Sequence, residues 1–295
     1  MNILFIGCVE SSYTQLELLI KHGKHICGII TKSISKFNAD FYDLSPLGTI
    51  YNIPTLYVEN INDKITIEFI ESCQPDVIYC FGWSQLIHRE ILELPKYGVI
   101  GNHPAALPNN RGRHPIIWAL VLGLNTTASS FFVMNEGTDT GNIISQEEIP
   151  ILYSDYARDL YDRITKLECS QILKLTDLLE QGKCELKKQN LKEGNFWRKR
   201  HPEDGIIDWR MSSRAIYNLI RALSHPYVGA EFIHDERSVK VWKSDEIITD
   251  AYRNIEPGKV VKYVSEQDYY VKAYDNIIHI MESDNFYGRE GEYLL

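Results

Sequence analysis

The sequence predicts an α/β protein, in which a parallel sheet covered by helices is followed by a smaller, mostly β region. In the first 150 residues, short apolar runs typical of buried strands alternate with segments of helical periodicity. A long amphipathic helix is predicted over residues 155–182, and short alternating segments separated by turns follow after residue 225. Because repeated β–α–β units form parallel sheets, we expect ligands to bind beyond the carboxyl ends of the strands.

The predicted elements follow one another closely along the chain. The expected strands are residues 3–7, 26–31, 76–82, 97–103 and 128–134, and the expected helices are residues 11–23, 61–73, 84–94, 115–124 and 155–182. A serine is expected to cap the first helix and Gly23 to end it, and Pro115 favours the first turn of its own helix. The later strands, of a small barrel or sandwich, are expected at residues 230–235, 238–243, 258–264, 269–274 and 276–281.

The composition changes near residue 200. Residues 184–209 are polar and interrupted by glycine and proline, as in a linker, so we expect one domain over residues 1–200 and a second over residues 201–295. The chain is 44% hydrophobic and 24% charged, which suffices for full cores and argues against disorder. Six cysteines without CxxC spacing, no signal-peptide pattern and no long apolar run predict a cytoplasmic protein without a metal site or membrane span.

The charge balance bears on the class of partner. The formal net charge is −9, and residues 201–295 hold 11 Lys and Arg against 17 Asp and Glu. Nucleic-acid affinity depends mainly on neutralising phosphates, so we expect a second domain of this sign to repel nucleic acid. No GxGxxG follows the first strand and no GxxxxGK[ST] occurs, so dinucleotide and P-loop sites lack their best markers.

Two stretches carry candidate chemistry. His103 ends a predicted strand, and Pro104 after it favours an extended backbone up to the strand tip. Asp139 lies between Gly137 and Gly141 in the loop after the next predicted strand. A histidine and a carboxylate on neighbouring loops at the active edge form a candidate acid/base and oxyanion pair. His103 alone would also fit a structural histidine at a strand end.

At these residues the sequence resembles the formyltransferases that use N10-formyltetrahydrofolate. The family pattern is Asn-x-His-x-(Ser)-x-Leu-Pro, then Arg-Gly, and later Asp-x-Gly-x-Ile-x-x-Gln. It is matched at His103, Leu107, Pro108, Arg111, Gly112, Asp139, Gly141, Ile143 and Gln146. Residues 75–87 are similar to the folate-side loop of the family, and residues 201–232 resemble the start of its second domain. The resemblance covers nearly the whole chain.

The resemblance implies a Rossmann-like formyltransferase domain, an OB-like C-terminal domain and N10-formyltetrahydrofolate as co-substrate. In such a reaction Asp139 would take a proton from the attacking amine, and His103 would donate to the oxyanion of the tetrahedral intermediate. Backbone groups of the folate-side loop would hydrogen-bond the pterin. The residues assigned to the folate are Phe81, Gly82, Trp83, Ile87, Gly137 and Asp139.

Two positions depart from the family pattern. The catalytic asparagine of the family, two residues before the histidine, is Gly101 here, and Phe132 occupies a position where the family often has a histidine. Asn102 is a candidate catalytic residue that could replace the missing amide. Because side chains alternate along a strand, Asn102 can do so only if the backbone twists at Gly101.

With the stretch NRGRHPIIWAL, these features look closer to the bacterial enzymes that formylate nucleotide-linked amino sugars. The resemblance implies a UDP- or dTDP-linked 4-amino-4,6-dideoxyhexose, as used for surface glycans or flagellin sugars, with UDP slightly preferred. Arg111, Gly112 and Arg113 are assigned to this substrate, with an arginine at the diphosphate. The resemblance also allows a homodimer. Three alternatives stay open: a methionyl-tRNA formyltransferase, a formyltetrahydrofolate hydrolase, and a folate-binding protein that has lost catalysis.

Overall fold

A seven-stranded, mostly parallel sheet lies at the centre of the first part of the chain in the computed structural model, which describes residues 1–35 and 38–294. The strands of this part are β1 Ile3–Gly7, β2 Ile26–Thr31, β3 Thr55–Tyr57, β4 Val77–Phe81, β5 Val99–His103, β6 Arg111–Gly112, β7 Thr126–Val133, β8 Ile143–Pro150 and β9 Phe196–Trp197. The sheet has the order β3-β2-β1-β4-β5-β7-β8; β1 to β5 run parallel, and β7 is antiparallel to β5. β6 and β9 form a separate parallel pair.

Helices cover both faces of this sheet. The helices of this part of the chain are α1 Glu10–Lys21, α2 Ser45–Tyr51, α3 Lys64–Cys73, α4 Arg89–Leu92, α5 Pro115–Val121 and α6 Ala157–Glu180. Because side chains alternate along a strand, neighbouring residues of β1 enter different apolar clusters. Phe5 packs in a cluster with Leu16 of α1, whereas Leu4 packs on the other face with Ile70 of α3.

A five-stranded antiparallel sheet organises the second part of the chain. A short 3-10 helix at Pro202–Gly205 and helix α7 at Ser213–Leu223 precede the strands β10 Ala230–His234, β11 Arg237–Ile247, β12 Val260–Ser265, β13 Asp268–Lys272 and β14 Ile277–Ser283. Their order is β10-β11-β14-β13-β12. Helix α7 packs on β11, and the Ser212 side chain caps it by accepting from the N–H of Ala215.

The chain divides into two compact units. The first contains Met1–Pro115, Thr127–Ile149 and Asp162–Trp197, and the second contains Ile116–Thr126, Pro150–Tyr161 and the chain from Arg198 onward. Each unit has its own sheet, the parallel one in the first and the antiparallel one in the second. The division at residue 200 into separately acting domains stays a prediction.

The predicted α/β class is confirmed, and each predicted strand is present within about four residues of its expected bounds. The helix predicted over residues 84–94 is wrong, because only Arg89–Leu92 is helical. The residues before it form an extended loop, in which Gln85 accepts from the N–H of Ile61 at 3.0 Å and donates to Glu59 O at 2.8 Å. The serine cap is also wrong, since α1 begins at Glu10 after Val9.

The sequence analysis did not predict several elements. They are α2, β3, β6, β8, β9 and α7. Strand β8, with the sequence IISQEEIP, carries polar and apolar residues without a strict alternation. Strand β3 has three residues, too few to show a period.

Candidate functional site

His103 lies at the carboxyl end of β5, in register with Ser130 of β7, and is 5% exposed. Its Nε2 lies 2.7 Å from the carbonyl oxygen of Asn110. Because a carbonyl only accepts, Nε2 carries a proton and donates it to this bond. Asn110 has a left-handed backbone with φ of 61°, and its N–H donates to Asn195 Oδ1 at 2.8 Å. The imidazole orientation is therefore fixed by the turn after β5.

The turn after β5 is itself attached to the sheet. Gln146 of β8 donates through Nε2 to Leu107 O at 2.9 Å and to Ser130 Oγ at 2.8 Å. Ser130 Oγ in turn donates to Ala105 O at 2.6 Å. These bonds tie the residues that follow His103 to the two neighbouring strands.

Asp139 lies in the loop between β7 and β8, with a left-handed φ of 53°. Its Oδ2 accepts a hydrogen bond from the N–H of Gly112 at 2.9 Å. Asn135 closes the loop, because its Oδ1 accepts from the N–H of Gly137 at 3.0 Å and from Thr140 Oγ1 at 2.7 Å. A Cβ on Gly137 would lie 2.2 Å from Thr140 Oγ1, so this position requires glycine. The carboxylate is thus held by a backbone donor within a tight loop.

The structure brings the two predicted catalytic side chains together. His103 Nδ1 lies 3.6 Å from Asp139 Oδ2, and the side chains are 7% and 17% exposed. This separation is longer than a hydrogen bond, so neither group satisfies the other. Since Nε2 is bonded to a carbonyl, Nδ1 is the ring nitrogen that can give or take a proton here. The pair can therefore move a proton at an amine or carbonyl placed beside it.

An apolar cluster lies beside this pair. It consists of Leu107, Phe132 and Ile143, with Met134 packed against it. A Cβ on Gly101 would lie 3.0 Å from Phe132 Cζ and 3.0 Å from Met134 Cγ. The Phe132 ring, opposite Gly101 in register, thus fills the volume that a side chain at position 101 would need. A low-polarity wall of this kind strengthens the electrostatic interactions of the groups next to it.

The structure does not bring Asn102 to the pair. β5 keeps its register with β7 through Gly101, so the side chain of Asn102 lies on the face opposite to His103. There it lies beside Glu168 of α6, which is 2% exposed. Burial raises the pKa of Glu168 to about 7, and Asn102 partly offsets that rise. We therefore correct the assignment of Asn102 as a catalytic residue, since the twist that it required is absent from β5.

Arg111 is buried rather than available to a substrate. It is 3% exposed, its guanidinium lies 4.0 Å from the ring centroid of Phe196, and Nη2 donates to Leu191 O at 3.4 Å. A guanidinium stacked in this way joins β6 to the segment after α6. The assignment of Arg111 to the substrate diphosphate is corrected accordingly.

Gly112 and Arg113 differ in what they can still bind. The N–H of Gly112 is used by Asp139, its φ is 109°, and a Cβ there would lie 2.2 Å from Trp197 O. Gly112 therefore positions the carboxylate through its N–H, and its assignment as a substrate contact stays a prediction. Arg113 is partly exposed, and its Nη1 donates to Ser84 O at 2.9 Å. Of the three predicted substrate residues, Arg113 keeps a side chain that a ligand can reach.

The segment assigned to the folate contributes backbone more than side chains. Phe81 and Ile87 are 1% and 3% exposed and belong to the apolar clusters on opposite faces of the sheet. Gly82 has φ of 63°, and a Cβ there would lie 2.1 Å from Val9 Cγ2. Trp83 is partly buried against one cluster. A planar ligand at this loop would therefore meet mainly main-chain groups, as the resemblance implies.

Sequence reasoning missed the residues that hold the pair in place. Gln189, which is 6% exposed, donates through Nε2 to Asp139 O at 2.9 Å and to Gly141 O at 2.6 Å. Asn195 holds the turn of Asn110. Both lie in the polar segment that was interpreted as a linker, and no periodicity or motif there marks them. Gln146 was matched as part of the family pattern but given no role.

Two absences concern the residues that the structure describes. Over residues 1–35 and 38–294, no three His, Cys, Asp or Glu side chains are grouped in a way that could hold a metal ion. In the same ranges, no helix combines the length and the apolar character needed to span a bilayer.

Known proteins are similar to this chain in both sequence and fold. Residues 32–176 match the family described as formyl transferase, and residues 199–285 match its C-terminal domain. A methionyl-tRNA formyltransferase of Fusobacterium nucleatum subsp. nucleatum is 30% identical over 285 residues, covering 95% of this chain and 91% of that protein. The bifunctional polymyxin resistance protein ArnA of Wigglesworthia glossinidia brevipalpis is 29% identical over 265 residues. That match covers 89% of this chain and 40% of the longer protein.

A solved structure is similar in fold to this chain over almost its whole length. WlaRD, a sugar 3N-formyl transferase crystallised in the presence of dTDP and 5-N-formyl-THF, superposes with a TM-score of 0.71 at 20% identity. The superposition covers 98% of this chain and 99% of WlaRD. At this identity the likeness establishes the fold.

Proposed function

This chain belongs to the formyl transferase family, and from that premise we propose that it transfers a formyl group from N10-formyltetrahydrofolate to the amine of a nucleotide-linked amino sugar. The observation that carries the chemistry is the His103–Asp139 pair, in which two proton-handling atoms, Nδ1 and Oδ2, lie 3.6 Å apart without a hydrogen bond between them. The amine must attack the formyl carbon in its unprotonated form. A carboxylate beside it can accept the proton that the attack releases.

The reaction can be written with the groups that the site provides. The amine nitrogen bonds to the formyl carbon, and the carbonyl electron pair moves onto oxygen to give an oxyanion. Asp139 takes the amine proton. His103 enters the step as the imidazolium, because its Nε2–H already donates to Asn110 O, and its Nδ1–H stabilises the oxyanion. The carbon–N10 bond then breaks, and N10 of the leaving tetrahydrofolate receives the proton from the acid/base pair.

The substrate class rests on charge. Residues 201–295 carry 11 Lys and Arg against 17 Asp and Glu, which disfavours a polyanion but not a single nucleotide held by local contacts. Arg113 is our candidate for the diphosphate, because an arginine can bind phosphate oxygens bidentately. We infer a UDP- or dTDP-linked amino sugar from the resemblance stated above. All six cysteines are free thiols, which supports a reducing, cytoplasmic setting, and a homodimer stays a prediction.

A second candidate is a methionyl-tRNA formyltransferase. It is favoured by the relatives with that name, which reach 30% identity and cover 86–91% of their own length. The amine of an amino sugar and the amine of methionyl-tRNA could both react by the proton transfers described above. The two candidates differ in the surface that must bind the acceptor. The acidic residues 201–295 favour a nucleotide sugar as the acceptor over the polyanionic tRNA.

The decisive experiment is a turnover assay with the formyl donor and a panel of acceptors. UDP- and dTDP-linked 4-amino sugars and methionyl-tRNA are each supplied, and formylated product is measured. We expect turnover with a nucleotide sugar, and no tRNA gel shift even at low salt, where electrostatic binding is strongest. Formylation of methionyl-tRNA would overturn the sugar assignment. Folate binding without turnover on any acceptor would favour a protein that has lost catalysis.

A further inference from the structure

We infer that Gln189 is a positioning residue for Asp139, which it holds facing His103. Gln189 lies between the two regions that match the family, in the segment after α6. It is 6% exposed, and its Nε2 donates to the carbonyl oxygens of Asp139 at 2.9 Å and Gly141 at 2.6 Å. The inference rests on the proposed function, in which Asp139 accepts the amine proton.

The loop of Asp139 needs such support because its backbone is unfavourable. A left-handed φ costs free energy for any residue other than glycine, although less for Asp and Asn than for most, and the φ of Asp139 is 53°. The side-chain amide of Gln189 donates to the carbonyl oxygens of both Asp139 and Gly141. The direction of the carboxylate depends on this short stretch of backbone. Displacing a catalytic group by about 1 Å can reduce turnover by about 10²-fold.

The segment that carries Gln189 is fixed on both sides. Lys187 and Ile143 exchange two backbone hydrogen bonds of 2.8 Å, which attach the segment to the start of β8. Asn195 holds Asn110, whose carbonyl binds the imidazole of His103. Both members of the pair are therefore positioned from one stretch of chain, and Gln189 is its contact to the carboxylate loop.

The chain offers a matched control for the loss of a buried amide. Gln171 of α6 is 1% exposed, and its Nε2 donates to Ser145 Oγ at 3.0 Å and to Ser129 O at 3.4 Å. Like Gln189, it is a buried glutamine that bridges two acceptors in the first unit. It contacts neither member of the pair nor their loops, so its replacement measures the structural cost alone.

The test compares Gln189→Met with Gln171→Met in the full-length protein. Methionine keeps the shape of glutamine and removes its donors. Both variants are expected to lower Tm, but only Gln189→Met should lower kcat, by about 10- to 10²-fold with both KM values nearly unchanged. Equal kcat values for wild type and Gln189→Met would overturn the inference. If Gln189→Met does not fold, Gln189→Ala, which removes the same donors and leaves room for water at both carbonyl groups, is used in its place.

A readout independent of activity separates this inference from the proposed function. The N–H of Gly112 donates to Asp139 Oδ2, so its amide proton signal in NMR reports the position of the carboxylate. We expect the Gly112 signal of Gln189→Met to move toward that of Asp139→Asn, and that of Gln171→Met to stay in place. An unmoved signal in Gln189→Met would refute the positioning role. Full turnover by Asp139→Asn would instead refute the proposed base, while the Gly112 signal still tests Gln189.

Discussion

A histidine–carboxylate pair occurs in each unit of the molecule, and the two pairs are built differently. In the second unit His234 Nε2 and Glu292 Oε1 form a closed hydrogen bond of 2.8 Å. In the first unit His103 Nδ1 and Asp139 Oδ2 are 3.6 Å apart. The closed pair satisfies its own atoms. The open pair is fixed from outside, because Gly112 N–H donates to Asp139 Oδ2 and Asn110 O accepts from His103 Nε2. His103 Nδ1 and the remaining acceptor capacity of the carboxylate are left for a third group.

The burial of the two pairs reinforces this contrast. The side chains of His103 and Asp139 are 7% and 17% exposed, whereas those of His234 and Glu292 are 13% and 28% exposed. The bond from His234 holds the pKa of Glu292 below its usual range. The open pair is therefore the place where we expect substitutions to change turnover.

The largest expected effect belongs to Asp139→Asn. The amide keeps the shape of the carboxylate but cannot accept the amine proton, so kcat should fall by about 10²–10⁴-fold while both substrates still bind. Turnover is measured across pH. The control is Asp268→Asn, which alters another closed pair, Asp268 with His279 at 2.9 Å, and should keep turnover. Full recovery of Asp139→Asn at high pH would show that Asp139 assists deprotonation only.

His103→Ala should be the next most damaging change. It removes the donor to the oxyanion, and the loss of one such donor costs about 10²–10³-fold in kcat. The protein should still fold, because the ring is bonded only to the Asn110 carbonyl and faces Asp139. The comparison is Asn102→Ala, one residue earlier on the opposite face of β5, whose effect on kcat should be under about tenfold, the loss that corresponds to about 1.36 kcal/mol. Equal losses in the two variants would return Asn102 to the catalytic residues.

The smallest effect is expected for Glu292→Gln, which opens the closed pair. In the wild type, the pKa of Glu292 lies below the ordinary value of 4.5. The hydrogen bond with His234 therefore stabilises the folded protein above that pH, and this contribution is lost as the pH falls through the lowered pKa. The variant should lose about 0.2–1 kcal/mol of stability at pH 7, and the difference from wild type should vanish in acid. Denaturant unfolding at several pH values measures it. A drop in kcat would contradict the contrast between the pairs.

The sequence was informative where one stretch of chain decides the structure. Continuous apolar runs predicted β1, β2, β4 and β5, because strands buried on both faces have no polar positions. His103 and Asp139 were predicted to meet because both follow strands at the same sheet edge, and the structure places them 3.6 Å apart. Their catalytic roles stay predictions.

The sequence was uninformative where a residue depends on a distant partner. Arg111 lies between two prolines and resembles an exposed loop charge, yet Phe196, 85 residues later, covers it. Gln189 and Asn195 belong to a polar segment without periodicity, and their hydrogen-bond partners, Asp139 and Asn110, lie 50 and 85 residues earlier. No local pattern reports contacts over such separations.

The packing around Gly101 restricts the order in which this corner of the protein can evolve. A side chain at position 101 and the ring of Phe132 compete for one volume, since a Cβ at 101 would already lie 3.0 Å from the ring. An asparagine introduced at 101 would push against Phe132 and Met134, so we expect it to fit best where the side chain at 132 is smaller. Loss of the Phe132 ring alone would open a cavity. Positions 101 and 132 should therefore change together among homologues, as a correlated pair and not as two independent sites.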